Sequence, residues 1–184
     1  MGDPVRKSKK YERPKKLWDK KRIEEEGALK TEFGLKNSRE LWIMQTILRR
    51  IRREARRLLS GKGANAEIRS TQLLARSKKF FVQKEDLTLD DLLSLSVKDV
   101  LQRRLQSIVV KKRLAKTMHQ ARQFITHGHV SINGMHVSSP SYLVSFAEEA
   151  NVNWSGKPLG SFEKMDEKPA VVITEKTEPV AASG

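Results

Sequence analysis

Apolar residues recur at helical spacing along NSRELWIMQTILRRIRREARRLLSGKG. At roughly 100° per residue, Leu41, Met44, Ile47, Leu48, Ile51, Ala55, Leu58 and Leu59 fall on one arc of about 120°. The pattern predicts a helix capped by Asn37, with Glu40 three residues later as its reciprocal partner and Gly61 closing it. NAEIRSTQLLARSKKFF predicts a second amphipathic helix that ends in the basic cluster Arg76, Lys78 and Lys79. DLTLDDLLSLS predicts one or two helical turns that turn Leu87, Leu89, Leu92 and Leu93 inward, with Asp90 and Asp91 in the first turn, where the helix dipole favours carboxylates. Ser96 and Asp99 form a capping pair for one helix through VKDVLQRRLQSIVVKK, whose apolar face is Val97, Val100, Leu101, Leu105, Ile108 and Val109. Arg103 is expected to project away from that face. Arg104 falls inside it, so either it simply packs there, or its stem is buried and its guanidinium reaches a phosphate or a carboxylate at the rim.

Beyond the basic linker KKRLAK, Thr117 and Gln120 predict another capping box. The helix they start has an inner stripe of Met118, Ala121, Phe124 and Ile125 and an outer stripe of His119, Arg122, Gln123 and Thr126. Gly128 supplies the left-handed residue that ends it, and HVSINGMHV reads as strand, Asn-Gly turn, strand. The predicted class is α+β, a mainly helical N-terminal half followed by a small helix-helix-β-hairpin module. Four regions are expected: a basic arm over 1–36, a helical domain over 37–100, the module over 101–162 and a tail over 163–184. Arm and tail read as disordered on their own. Pro4 and Pro14 interrupt the arm, which has one short helical piece near Leu17 to Glu26, and Tyr11 and Trp18 as aromatic anchors against RNA.

Charge sharpens this picture. The 184 residues carry a formal net charge of +15. Residues 1–130 hold 33 Lys and Arg against 15 Asp and Glu, whereas residues 131–184 hold 4 against 7. Solubility alone needs a net charge of only about 2 to 8 on a small domain, so the excess points to a polyanion, with nucleic acid ahead of an anionic membrane. Along the first long helix, Arg49, Arg50, Arg52, Arg53, Arg56 and Arg57 have only Glu54 among them. A merely solvated face would mix signs to gain i,i+4 pairs of about 0.3 to 0.5 kcal/mol each. Phosphate binding is the stronger reading.

Other chemistry fares poorly. With no cysteine, thiol catalysis, disulfides and Cys-based zinc sites are excluded. No stretch approaches the roughly 18 apolar residues of a membrane span, and the N-terminus is too charged for a signal peptide. Gly2 begins like an acylation site, but Arg6 stands where Ser or Thr is wanted. All four histidines, His119, His127, His129 and His136, lie within twenty residues, yet none pairs at i,i+4 and no carboxylate joins them, so no metal is expected. Glu148 and Glu149 read as an exposed turn between strands rather than a catalytic pair. No catalytic residue, cofactor or small-molecule substrate is expected, and the protein is not read as an enzyme.

The stretch LQRRLQSIVVKKRLAKTMHQARQFITHGHVSINGMHV closely resembles the small RNA-binding module named after small-subunit ribosomal protein four. The matching positions are Arg104-Leu105, Thr117, Ala121-Arg122, Phe124-Ile125, Gly128 and Val130-Ser131-Ile132-Asn133-Gly134. The N-terminal arm and the Arg-rich helix resemble the archaeal and eukaryotic branch of the ribosomal family itself, so the likeness covers roughly residues 2–155. The resemblance implies a cytoplasmic protein of the ribosome that binds small-subunit ribosomal RNA early in assembly, at a junction in its 5′ domain. It also implies a neighbour, small-subunit protein five, and a contribution to translational accuracy. A free ribosome-associated factor built on the same module is the alternative.

The residues expected to contact RNA are Arg49, Arg50, Arg53, Arg56 and Arg57 of the first long helix, and Arg103, Arg104, Lys111, Lys112, Arg113 and Lys116 before the second module helix. Thr117, His119, Gln120, Arg122, Gln123, His127, Gly128, His129 and Asn133 complete the set. Within it, the open start of the second module helix beside Lys111, Lys112 and Arg113 is expected to hold an anion.

Overall fold

The computed structural model describes residues 9–61, 65–84 and 86–156. The expectations for the first eight residues of the arm, for the last residues of the module after 156 and for the tail over 163–184 lie outside the described residues. Eight helices and three short strands are described. They run α1 Lys20–Glu32, α2 Ser38–Leu59, α3 Ala66–Phe80, α4 Leu89–Ser94, α5 Val97–Gln102, α6 Leu105–Lys111, α7 Met118–Thr126, β1 Val130–Ile132, β2 Met135–His136, α8 Phe146–Glu149 and β3 Val152–Trp154.

The periodicity of the long helix holds. Leu41, Met44, Leu48 and Ala55 of α2 are buried, and Ile47, Ile51 and Leu58 pack half-buried against them, while Leu59 at the end stays exposed. Leu73 of α3, Leu92 of α4, Leu95 between α4 and α5, and Val100 and Leu101 of α5 belong to the same first core. Thr88 and Asp91 form a reciprocal capping box at α4, and Asp91, taking hydrogen bonds from the Thr88 backbone and from Lys84, is held down to about 2. The expected structural role of that carboxylate is what the geometry shows. The Ser96–Asp99 box at α5 is present as well.

The arm is more structured than its composition suggests. Its helix is longer than expected and starts later, and Phe33 and Leu35 beyond it are buried in the first core. The carboxylate of Glu26, itself buried, holds α1 to α2 by accepting from Arg22 Nη1 at 2.6 Å and from Trp42 Nε1 at 3.2 Å. Tyr11 lies against the Trp42 ring at 5.9 Å, so it serves packing, whereas Trp18 is 91% exposed.

The helix expected to run unbroken through residues 97–112 is broken in the middle. Arg104 is extended (φ −71°, ψ 144°), pairs as an antiparallel bridge with Leu143 and separates α5 from α6. The returning strand supplies the reason: Tyr142 O accepts from Leu105 N at 2.8 Å, and Val144 N donates to Arg103 O at 3.0 Å. Ser107 Oγ donates to Leu101 O and so links the start of α6 to the end of α5.

Past the break a second core begins. Leu105, Ile108 and Val109 of α6, Ala115 between α6 and α7, Ala121 and Ile125 of α7, Val130 and Ile132 of β1, Val144, and Val152 of β3 are its buried members. β1 is the central strand of an antiparallel sheet ordered β2-β1-β3. The predicted hairpin is present, with Asn133 (φ 50°) and Gly134 (φ 80°) in the left-handed conformations of a type I′ turn. β3 follows the Glu148–Glu149 turn, where a strand was expected, and pairs with β1 on the side away from β2. Gly128 (φ 76°) ends α7 as expected, with His129 N donating back to Phe124 O.

Candidate nucleic-acid interface

The α2 arginines divide into two stripes because residues three and four apart share a helix face. Arg50, Arg53 and Arg57 face α3 and, with Arg76, line the groove between the two helices. Arg49, Arg52 and Arg56 line the opposite cleft towards the arm. On that side Arg49 donates to Glu12 at 2.6 Å, and Arg52 donates to Leu95 O. Arg50, Arg53, Arg56, Arg57 and Arg76 make no side-chain hydrogen bond or ion pair among the described residues. Arg76 was legible as part of a basic cluster, but only the fold shows that it completes the α2 stripe.

The module's arginines have a different place. Arg103 does not project outward: it is 6% exposed, donates to Glu149 at 2.6 Å and to Val144 O at 2.9 Å, and lies 4.0 Å above the Phe146 ring. Arg104, 1% exposed, reaches a carboxylate of the protein itself, Glu40, at 2.8 Å. Arg122, expected to face outward, grips the same Glu40 through both terminal nitrogens, at 2.5 and 3.2 Å. Glu40 thus does not complete a box with Asn37, whose side chain makes no cap bond. It stands at the start of α2 and ties the first core to α6 and α7. Burial alone would raise its pKa; the hydrogen bonds from Arg122 and Arg104 outweigh this and hold it below the ordinary value. Burial pushes the Arg104 pKa down, against the pull of Glu40, but a guanidinium stays charged.

The anion site expected at the start of α7 is partly consumed by the protein. Lys111 donates to Glu149 at 2.9 Å, and Lys112 donates to Ala150 O and Val152 O. Glu149, which receives both Arg103 and Lys111, has burial raising its pKa and those two bonds lowering it to a net depression. The Glu148–Glu149 turn is therefore one turn of helix, capped by Ser145 and tied down, rather than an exposed loop. Thr117 accepts from Gln120 N as predicted, whereas Gln120 Oε1 reaches one residue further back, to Lys116 N. Arg113 adopts φ 59° at the α6–α7 turn.

His119, Gln123 and His127 are exposed, and Gly128 and His129 are half-buried. The His127 and His129 rings stack at 6.2 Å; His129 meets Phe124 edge-on, and Phe124 meets Trp154 at 5.1 Å. This aromatic run at the end of α7 was visible in the sequence only as its histidines. His136 is exposed but fastens the hairpin, with Nδ1 against Gly128 O and Ser155 Oγ. Asn133 is exposed at the turn and accepts from Asn151 Nδ2. Among the described residues no three His, Cys, Asp or Glu side chains are grouped to hold a metal ion, and no helix is long and apolar enough to cross a membrane.

The S4 domain family matches residues 103–149, a span that begins at the helix break. The chain is 46% identical over 163 residues to small ribosomal subunit protein uS4 of Methanococcus aeolicus, a match that covers 88% of this chain and 92% of the relative. It is 46% identical over 155 residues to the uS4 protein of Saccharolobus solfataricus, covering 84% and 86% of the two chains. For Methanococcus maripaludis the identity is 45% over 177 residues, 95% of this chain and 99% of the relative. Such identity along nearly the whole length, over a fold that places the two-helix and hairpin module as the motif requires, shows that the chain belongs to the archaeal branch of the uS4 family of small ribosomal subunit proteins.

Proposed function

We propose that this protein is a structural component of the small ribosomal subunit that binds small-subunit ribosomal RNA directly and early in assembly, without catalysis. The single observation that carries this reading is the pair of arginine stripes on α2. A helix anchored by its apolar arc presents guanidiniums on both sides of its outer face, of which Arg50, Arg53, Arg56 and Arg57 make no ion pair among the described residues, an arrangement that is repulsive until phosphates neutralise it. The uS4 relatives support the ribosomal assignment, and with it a place in the cytoplasmic ribosome. The same reading extends to a 5′-domain junction as the RNA target, to small-subunit protein five as neighbour and to a contribution to decoding accuracy; these three rest on the family resemblance.

Within the expected contact set, this reading assigns Arg103, Arg104 and Arg122 to holding the two cores together, and the α2 arginines, the start of α7 and the histidine end of α7 to RNA. If about 8 phosphates are neutralised, the logarithm of affinity falls with the logarithm of salt at a slope of about −6 to −7. Arg53→Glu with Arg56→Glu, one change on each stripe, is expected to weaken ribosomal RNA binding while the circular dichroism stays that of the wild type. Unchanged affinity would mean that α2 faces something else. Co-sedimentation with small subunits is expected to persist through high salt. Release at moderate salt, with free protein accumulating, would favour a soluble ribosome-associated factor instead.

A further inference from the structure

The groove between α2 and α3 is more than a charged strip. Its rim carries Arg50, Arg53, Arg57 and Arg76, with Glu54 as its one carboxylate, and its floor includes Ile51, Leu73, Phe80 and Phe81. Phosphate binding alone needs no apolar floor. Phe80 is the telling residue: half-buried, it belongs to neither core, yet its ring lies 6.2 Å from that of Phe81 and under Lys79 Nζ at 5.5 Å. An aromatic ring beside a row of unpaired guanidiniums matches the two chemistries of an unstacked nucleotide, a flat apolar base and flanking phosphates. A paired helix could use the rim but not the floor, because its bases face one another. The space, about 550 Å³, lies in the range of small-ligand clefts, and Arg50 to Arg57 span about 10 Å of helix, enough to hold phosphates on both sides of one nucleotide.

We infer that this groove receives one unpaired nucleotide of the bound RNA, its base on Phe80 and the apolar floor and its phosphates on Arg53 and Arg57. The inference rests on the RNA-binding reading above. An acidic protein segment would satisfy the rim equally and is the competing occupant, but it makes no use of the aromatic ring in the floor.

The test measures affinity for small-subunit ribosomal RNA at several salt concentrations, together with ultraviolet crosslinking of the full chain to that RNA. Stacking is insensitive to salt, whereas phosphate contacts are not. Phe80→Ala is therefore expected to lower affinity about tenfold with the salt slope unchanged. Arg53→Gln with Arg57→Gln is expected to make the slope shallower by about 1 to 2. The peptide that contains Phe80 is expected to crosslink to a nucleotide that chemical probing finds unpaired. A folded Phe80→Ala protein with wild-type affinity overturns the inference, and so does a crosslink to a paired nucleotide or none at that peptide. Affinity and slope unchanged in the double arginine variant also overturn it, in favour of the acidic segment. If Phe80→Ala does not fold, Phe80→Leu, which keeps apolar volume but not the ring, makes the same comparison. Failure of the wild-type protein to bind this RNA would instead sink the functional reading, and the groove with it.

Discussion

The arginines of α2 and those of the module are the same residue put to opposite uses. Arg50, Arg53 and Arg57 are exposed and make no side-chain hydrogen bond or close ion pair among the described residues, whereas Arg103 and Arg104 are desolvated at the junction of the two cores and Arg122 is half-buried beside them. Burying a guanidinium costs several kcal/mol unless a carboxylate and hydrogen bonds meet it, and Glu40 and Glu149 are placed to do so. Glu40 and Glu149 are thus committed to the junction, and the outer face of α2 keeps few counterions, Glu12 beside Arg49 and Glu54 in the groove. Charge along a sequence therefore says little about surface potential until it is known which cations are already neutralised. Two arginines that belong to the module's family pattern, Arg104 and Arg122, converge on one carboxylate from outside the module.

That contrast can be broken at four places, from the largest expected effect on stability to the smallest. Glu40→Gln strands Arg104 and loosens Arg122, and is expected to cost about 2 to 4 kcal/mol in denaturant unfolding. Because the Glu40 pKa is depressed in the fold, its contribution is fully present above the ordinary value of 4.5 and is lost as pH falls through the lower, folded value. The variant should accordingly lose part of the wild-type fall in stability on acidification; an unaltered pH profile would show that the clamp is idle. Gly34→Ala is next. Gly34 sits at φ 57° with its oxygen accepting from Gln106 Nε2, and an added Cβ would stand 2.6 Å from Met118 Cβ, so the two cores must part slightly. About 1 to 3 kcal/mol is expected, read as a lowered melting temperature. Thr117→Ala removes a cap that serves the module alone and should cost about 1 kcal/mol. Arg50→Gln, on the open stripe, should change stability by less than about 0.5 kcal/mol while weakening RNA binding. If it destabilises as Glu40→Gln does, the two sets of arginines are not different in kind.

Much of the fold was legible because it rests on local signals. The α2 stripe, the caps at Ser96 and Thr117, the turn at Gly128 and the Asn133-Gly134 hairpin depend on residues a few positions apart. The failures share one cause, contact between residues distant in the chain. Glu40 read as a local cap because its true partners lie 64 and 82 residues away. The helix break at Arg104 is imposed by Leu143 and its neighbours, which return long after a helical pattern has been written. Of the expected contact residues, Arg103, Arg104, Lys111, Lys112 and Arg122 have internal partners that the sequence did not reveal, because the carboxylates and, for Lys112, the backbone carbonyls that engage them lie far along the chain. The one clue in the sequence was Arg104 inside an apolar face, a position that demands a partner.

The bond between Arg103 and Glu149 also has a timetable. The two residues lie 46 positions apart, so on a ribosome adding roughly 5 to 20 residues per second Arg103 is made about 2 to 9 seconds before its acid exists. Val144 O, its other acceptor, arrives only slightly sooner. During that interval the newborn chain has a completed α2 but an unfinished module, with a cation at its edge that the mature protein buries. Closure of the second core therefore waits for the chain to come back, and Arg103 is buried only after its last partner has been made.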